Sequence, residues 1–192
     1  MNKQNKRLSL IAIANKWHIE EAEEELGDAL YRVDPALYIE RDPKYPLLYV
    51  FTNIPPVRAF YLAINEPPAY IERLVPVQEL FKYKIIVKDK NSILFSTDFL
   101  DILSRQFRIK CEGKCMVECR PRNMYILVAK TFDKRTARKY LEKKLASILG
   151  TKLDRKAEMS LIIEDTRYGI VAALMRRGYD RVRTWREKRL QY

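Results

Sequence analysis

The sequence contains few of the residues on which most metal and nucleotide sites depend. Its 192 residues include one histidine, three cysteines and five glycines. Structural zinc sites usually need four Cys or His ligands, and phosphate-cradling loops need clustered glycines, whereas these glycines are dispersed along the chain. The single histidine also removes most catalytic triads. We therefore expect no metal and no cofactor, and we predict that the chain is not an enzyme.

Long apolar runs are also absent. No stretch approaches the ~18 apolar residues of a transmembrane helix, and no charged-then-apolar signal segment opens the chain. Hydrophobic residues nevertheless make up 47% of the sequence, and no low-complexity tract interrupts it, so we expect a folded body. The sequence predicts a cytoplasmic protein without a membrane partner.

The charge is distributed unevenly. Up to Val77 there are 9 Lys and Arg residues against 11 Asp and Glu residues, and from Gln78 onward there are 28 against 14. Clustered cations gain affinity for phosphates by releasing counterions, so the second half predicts a polyanionic partner. Nucleic acid is the favoured partner, and an acidic membrane surface is the less specific alternative.

The three cysteines, Cys111, Cys115 and Cys119, are separated by three residues each. Three thiols and one distant histidine make a poor zinc site. A disulfide between Cys111 and Cys115 across a turn at Gly113 would suit a thermophile, but we favour reduced, buried thiols. Cys119 lies beside Arg120, which can activate a thiol, yet no general base is nearby, and we favour a core residue.

The first half alternates strand-like and helix-like patterns. The first helix has one apolar face and one acidic face, as expected for an outer helix packed on a sheet. A Pro-containing turn separates the second and third strands, and two prolines start the second helix. The elements in order are a strand at 8–15, a helix from Ile19 to Val33, strands at 36–42 and 47–53, a helix from Pro55 to Asn65, and a strand at 70–78. This β-α-β-β-α-β order predicts a ferredoxin-like module, which we expect to hold or orient its neighbour.

The second half is a less regular mixture. Residues 79–90 are read as a strand or a linker, and apolar residues at helical spacing predict a helix over 92–107. Alternation over 115–121 predicts a strand with one buried and one exposed face. The remaining predictions are a strand at 123–130, a basic helix capped by Thr131 or Asp133 and ended by Gly150, strands at 159–165 and 168–175, and a basic tail.

Three segments in this order resemble a THUMP domain preceded by a ferredoxin-like companion. They are ERLVPVQ at 72–78, VECRPR at 117–122, and a helix ending in ILG followed by residues 151–174. The resemblance covers residues 70–174 and, with the companion, nearly the whole chain. It implies an α+β fold, with a ferredoxin-like domain at 1–78, a THUMP-like α/β domain at 79–175 and a basic tail at 176–192.

The resemblance also implies a function. THUMP proteins bind tRNA, generally at its acceptor end, and are normally fused to a modifying domain that this chain does not match. The compact plan resembles the standalone THUMP proteins that assist a tRNA cytidine acetyltransferase. We therefore expect an RNA-binding adaptor whose partners are tRNA and a separate modifying enzyme, for which the resemblance favours an acetyltransferase.

Basic side chains on the predicted strand, helix and tail are the candidate RNA contacts, acting mainly on phosphates. They are Arg120, Arg122, Lys130, Lys134, Arg135, Lys139, Lys143, Arg176, Arg177, Arg181 and Arg183. Trp185 and Tyr179 either stack on bases or pack on the body. We expect replacement of four of these residues by Glu to abolish tRNA retention without unfolding the protein; the four are Arg120, Arg122, Lys134 and Arg135.

Two other functions remain open. A small RNA-modifying enzyme would need its own site, and the adjacent Glu164 and Asp165 are the nearest approach to a carboxylate pair. Adjacent strand residues point to opposite faces, so we expect solvated charges instead. The third hypothesis is a protein-interaction module whose basic face merely tolerates RNA.

Overall fold

The computed structural model describes residues 6–111, 113–154 and 156–189 of the chain. These residues form two compact units. The first unit runs to Gln78 and continues from Gly178, and the second unit comprises Glu79–Arg177. The residues after Gly178, predicted as part of a separate tail, thus join the first unit.

The part of the first unit up to Gln78 contains a four-stranded antiparallel sheet and two helices in the predicted order. Its strands follow the order β2-β3-β1-β4, which is the ferredoxin-like arrangement, so the predicted fold is confirmed. The elements are β1 (Arg7–Ala14), α1 (Ile19–Tyr31), β2 (Tyr38–Arg41), β3 (Leu47–Thr52), α2 (Pro56–Asn65) and β4 (Ile71–Pro76).

The two helices form for the reasons visible in the sequence. In α1, Ala22, Leu26 and Leu30 recur at a spacing of four residues and are fully buried. The glutamates at the start of α1 also suit the positive end of the helix dipole. In α2, Pro55 and Pro56 occupy the cap and first position, where a missing N–H costs nothing.

The second unit contains two sheets and two helices. A five-stranded sheet has the order β10-β8-β11-β12-β5, and a three-stranded sheet has the order β7-β6-β9. The elements are β5 (Glu79–Phe81), β6 (Ile85–Val87), β7 (Ile93–Leu94), α3 (Thr97–Phe107), β8 (Gly113–Arg120), β9 (Ile126–Val128), α4 (Lys134–Ile148), β10 (Thr151–Lys152), β11 (Met159–Thr166) and β12 (Gly169–Arg176). This is the THUMP-like α/β module expected from the resemblance.

Two local predictions in this unit need correction. The segment 79–90, predicted as a strand or a linker, contains two short strands, β5 and β6, which belong to different sheets. The helix predicted over 92–107 begins only at Thr97, where the Ser96 hydroxyl accepts the N–H of Phe99 at 3.3 Å. Residues 93–94 form β7 instead. Ile93 and Phe95 pack against the same core as α3, so their apolar character extended the helical pattern artificially.

The three cysteines belong to the core of the second unit. All are free and buried, as favoured from the sequence, and the Cys111 thiol donates to the Cys115 sulfur at 3.0 Å. Glu112, in the turn predicted between these two, lies outside the described residues. Burial raises the pKa of the Cys119 thiol well above its ordinary value, and the nearby Glu142 carboxylate adds to this effect. Cys119 therefore favours the neutral thiol expected of a core residue.

The returning segment packs on the first unit through helix α5 (Val182–Arg189). Val182 and Asp180 are buried, and Asp180 pairs with Arg73 on β4. The Trp185 ring lies edge-on to Phe60 of α2 at 6.1 Å between centroids, and its Nε1–H donates to a backbone carbonyl at 2.8 Å. Trp185 therefore packs on the first unit, which is one of the two roles predicted for it.

Candidate nucleic-acid interface

Helix α4 is built as the sequence predicts, with a capped start, an apolar stripe and a glycine stop. Asp133 is the cap, since its Oδ2 accepts the N–H of Thr136 at 2.8 Å; this hydrogen bond also lowers the pKa of Asp133. Gly150 ends the helix with φ 66°, a left-handed conformation that glycine adopts without strain. The buried stripe consists of Ala137, Leu141, Leu145 and Ala146.

The outer face of α4 is cationic. Lys130, in the segment between β9 and α4, is exposed. The exposed cations of the helix are Lys134, Arg135, Lys139, Lys143 and Lys144. Glu142 is the one acidic residue of the helix sequence, and it is occupied: its Oε1 accepts from Arg138 at 2.7 Å and from the N–H of Cys119 at 2.9 Å. The helix thus presents five exposed positive charges and commits its one carboxylate to internal bonds.

The first turn of α4 has the opposite charge from the one that stabilises a helix. The N-terminal end of a helix carries a partial positive charge, so acidic residues are favourable there and basic residues are not. In α4 the first two positions are Lys134 and Arg135, and the first turn has no acidic residue. Together with Lys130, these cations favour an anion such as phosphate near the start of α4.

Arg120 and Arg122 are engaged within the unit. Arg122 Nη1 lies 2.7 Å from Glu164 Oε2, and Arg120 Nε lies 3.7 Å from Glu164 Oε1. The Glu164 side chain is fully buried, and only 13% of the Arg122 side chain is exposed. Arg120 keeps 28% exposure and also approaches Glu118 at 3.3 Å. These two arginines hold buried carboxylates, so replacing either by Glu would place two negative charges together in the interior.

The expectation that Glu164 and Asp165 are solvated is wrong, because both are fully buried. Strand β11 lies between β8 and β12, and almost all of its side chains are covered. Asp165 accepts three backbone N–H groups of the β8–β9 loop, from Arg122 and Tyr125 at 2.7 Å and from Met124 at 3.1 Å. Asp165 thereby fixes the loop that follows the Arg-rich strand.

The remaining sequence candidates are dispersed. Arg176 and Arg177 are exposed at the end of β12, and Arg176 pairs with Met159 at the start of β11. They therefore lie at the other end of the sheet from Arg120, which pairs with Glu164 near the end of β11. Arg181 and Arg183 belong to the first unit, and the exposed Arg183 pairs with Glu187 at 2.7 Å.

The described residues contain no group of three or more His, Cys, Asp or Glu side chains that could hold a metal ion. None of the described helices is long and apolar enough to cross a membrane.

The sequence gives no local sign that three carboxylates support the candidate surface; they are Glu142, Glu164 and Asp165. Apart from Arg138, which is close to Glu142, their partners lie at least 23 residues away along the chain.

No family model matches the sequence, and no curated protein matches it. Solved structures do match. PH1313 from Pyrococcus horikoshii Ot3 has a TM-score of 0.54 at 13% identity, and the match covers 88% of this chain and 55% of that one. A 4-thiouridine synthetase in a complex with RNA and bound ATP has a TM-score of 0.46 at 13% identity, covering 88% and 42%. TrmN from Thermus thermophilus has a TM-score of 0.48 at 14% identity, covering 88% and 45%.

This chain spans about half the length of these three proteins. The TM-scores of the synthetase and of TrmN are too low to establish a shared fold. At 13% identity the similarity to PH1313 concerns the fold alone. The chain is thus an α+β protein with a ferredoxin-like unit and a THUMP-like unit, and its fold is similar to that of PH1313.

Proposed function

We propose that this chain is a tRNA-binding adaptor that presents tRNA to a separate modifying enzyme. The observation that carries the proposal is the exposed cationic face of α4, whose one carboxylate is occupied by Arg138 and a backbone amide. The THUMP-like fold of the second unit supports it. The modification that fits the resemblance best is cytidine acetylation, and the chain itself supplies no catalytic step.

The chemistry of the surface suits a folded RNA. Lysine and arginine on an exposed helix contact phosphates, and each contact releases counterions from the RNA. The deep groove of an A-form helix offers little sequence readout to side chains, so the shape of the RNA and its phosphates carry recognition. We expect the acceptor end of tRNA to be the preferred region, as the resemblance implies.

Charge reversal on α4 tests the RNA surface. The variant replaces Lys134, Arg135, Lys139 and Lys143 by Glu, and it leaves out Arg120 and Arg122 because they hold the buried Glu164. We expect tRNA affinity in gel-shift titrations at moderate salt to fall by roughly 100-fold or more, with a weaker dependence on salt. Circular dichroism should show an unchanged fold.

The matched control replaces an equal number of exposed cations elsewhere in the second unit by Glu. These are Lys82, Lys84, Lys88 and Lys90. Both variants change the net charge equally, so an equal loss of affinity would mean that net charge alone, and not the α4 face, attracts RNA. An unchanged affinity of the α4 variant would contradict the proposal.

The adaptor role is tested separately from RNA binding. Purified chain alone should not modify tRNA, whereas a tRNA cytidine acetyltransferase should acetylate faster when the chain is added. Turnover by the chain alone would favour a small RNA-modifying enzyme instead. If tRNA without its single-stranded acceptor terminus binds as tightly as intact tRNA, the preference for the acceptor end is wrong.

A further inference from the structure

Two open grooves run along helix α1 of the first unit. One lies between α1 and the end of α2 and has a volume of about 750 Å³. The other lies between α1 and β2 and has a volume of about 560 Å³. Asp28 and Tyr31 line both grooves. The two grooves therefore flank α1 and meet at these two residues, and we refer to them together as the α1 groove.

The α1 groove contains exposed apolar surface. The Tyr31 side chain is 59% exposed and stands between the two hollows, and Val33 is 43% exposed at the edge of the larger one. Leu62 and Pro67, from the end of α2 and beyond, are partly buried along the opposite wall. Exposed aromatic and aliphatic side chains around a concavity are typical of a binding surface.

The charge of the α1 groove determines which partner fits. Several of its carboxylates are occupied, since Glu20 and Glu23 pair with Arg41 and Glu25 accepts two backbone N–H groups. Asp28 and Glu66 are exposed at the larger hollow beside the exposed Arg32, and neither acid has a hydrogen-bond or ion-pair partner among the described residues. Together the two hollows are lined by six carboxylates against the two cations Arg32 and Arg41, so the lining is net acidic. Such a rim repels phosphate and attracts lysine and arginine.

Gly27 points to close contact with something outside this chain. It lies in the interior of α1, where glycine is less stable than alanine, and it lines the smaller hollow. Its backbone is not in the left-handed region, and a Cβ at this position would meet no atom within 4 Å. The fold of the chain therefore does not require glycine here, whereas a partner approaching the helix backbone would.

We propose that the α1 groove binds a Lys- and Arg-rich segment of a protein partner. Apolar side chains of the segment pack around Tyr31, its cations face Asp28 and Glu66, and it passes close to the helix at Gly27. The identification of this partner as the tRNA-modifying enzyme rests on the proposed adaptor function. The acidic groove and the cationic α4 face would then bind protein and RNA on separate surfaces.

Photo-crosslinking in the native cell identifies the occupant. Tyr31 is replaced by p-benzoylphenylalanine in the full chain, and the crosslinked peptides are sequenced by mass spectrometry. We expect crosslinks to a Lys- and Arg-rich segment of one protein. The same probe at Trp17, which is 77% exposed in the same unit but outside the α1 groove, should not yield that segment. Crosslinks to RNA, to a second copy of this chain, or to nothing would overturn the proposal.

A synthetic peptide of the crosslinked segment then measures the charge requirement by fluorescence anisotropy. We expect the double variant Asp28→Lys, Glu66→Lys to weaken peptide affinity at least roughly tenfold, as loss of two charge contacts should. The control variant Glu72→Lys, Asp101→Lys changes the same number of exposed acids elsewhere and should bind normally. Equal affinities for the two variants would overturn the proposal.

Gly27→Ala separates binding from stability. Alanine favours the helix, so we expect Tm to rise by about 2–4 °C while peptide affinity falls several-fold. Unchanged affinity would mean that no partner approaches α1 closely at Gly27.

The two proposals fail independently. If the α1-groove variants lose the peptide but the crosslinked protein modifies no tRNA, the docking surface holds and the adaptor function is wrong. If tRNA binding depends on α4 but the α1 groove captures no basic segment, the RNA surface holds and the docking surface is wrong.

Discussion

Helices α1 and α4, one from each unit, differ in how their acidic residues are placed. In the first unit, α1 alone carries six acidic residues, all of them exposed or partly exposed. In the second unit, Glu118, Glu164 and Asp165 are buried, and Glu142 is bonded to Arg138 and to a backbone amide. The first unit has buried carboxylates as well, at Asp34, Asp42 and Asp180. The contrast therefore lies in the helices: α1 exposes its acidic residues, whereas the one carboxylate of α4 is bonded within the unit and its exposed charges are cations.

The division into units also changes the charge comparison. Residues 178–192 contain five Lys or Arg and two Asp or Glu, and they belong with the first unit. The first unit thus changes from −2 to +1, and the second from +14 to +11. The segregation persists, but a basic residue in this chain cannot be assigned to RNA binding from its sign alone. Its partners within the fold decide whether it is available.

The largest expected effect on stability comes from removing the arginine that pairs with a buried carboxylate of the second unit. We expect Arg122→Ala to lower the free energy of unfolding by about 3–5 kcal/mol, because Glu164 would lose its charge partner in the interior. Arg120, 3.7 Å from Glu164, should keep the loss near the lower value. Urea denaturation measures this change.

Exposed Lys130 provides the control. Lys130→Ala removes a positive charge from the same unit and should change stability by less than about 0.5 kcal/mol. A double variant, Arg122→Met with Glu164→Leu, should recover much of the loss, since a buried ion pair can be replaced by apolar side chains. If Arg122→Ala is as mild as Lys130→Ala, Arg122 is not structural and becomes available to RNA.

The first unit also has a structural carboxylate, which sharpens the contrast with α1. Asp34 is buried and accepts hydrogen bonds from the Lys6 ammonium at 2.8 Å and the Thr52 hydroxyl at 2.6 Å. Burial raises the pKa of Asp34, but these hydrogen bonds and two from backbone amides outweigh it and hold the pKa well below its usual value. We expect Asp34→Asn to lower the free energy of unfolding by about 1–3 kcal/mol at neutral pH.

The pH dependence gives the Asp34 prediction a direction. A carboxyl whose pKa is depressed on folding contributes stability above its unfolded pKa of about 3.9, and this contribution is lost as the pH falls below that value. The stability difference between the natural protein and Asp34→Asn should therefore be constant near neutrality and narrow below about pH 4. Replacing the exposed Asp28 of α1 by Asn should cause no comparable loss of stability at neutral pH. If the difference in the free energy of unfolding stays constant down to about pH 2, the pKa of Asp34 is not depressed by folding.

Local patterns were sufficient to predict most elements of both units. The ferredoxin-like order follows from two amphipathic helices, a Pro-containing turn and apolar strands, all of which are visible within short windows of sequence. Helix α4 was predicted with two candidate caps, Thr131 and Asp133, and with a glycine stop, because these residues lie near its ends; Asp133 is the cap, and Gly150 follows the helix. Local signals fix local structure, and these elements needed nothing more.

The errors concern residues whose roles depend on distant partners. Arg122 and Glu164 are 42 residues apart, and Arg73 and Asp180 are 107 apart, so no local window contains both members of either pair. Glu164 and Asp165 looked solvated because alternation assigns one face of a strand to water, whereas both faces of β11 are covered and every residue from Ser160 to Thr166 is buried. Sequence alone thus located the cationic helix but could not separate its available cations from Arg120, at the end of β8, and Arg122, in the loop that follows, which hold buried carboxylates.

The smallest predicted effect concerns the first turns of α1 and α4, which carry opposite charges at the same end of the helix dipole. Glu20 and Glu21 in α1 stabilise their helix, whereas Lys134 and Arg135 oppose theirs. We therefore expect Lys134→Glu with Arg135→Glu to raise the free energy of unfolding by about 0.3–1 kcal/mol while weakening tRNA binding. Urea denaturation and gel-shift titration measure the two quantities on the same samples.

The control for this interpretation is the pair Lys143→Glu with Lys144→Glu, which lies farther from the start of α4. It removes the same charge from the same helix but lies outside the first turn, so it should weaken tRNA binding without the gain in stability. A gain in both variants would point to relief of general repulsion in a unit of net charge +11. If only Lys134→Glu with Arg135→Glu raises the free energy of unfolding, the two cations at the start of α4 are present at the expense of the stability of that helix. Such a cost is expected of a binding surface and not of a merely solvated one.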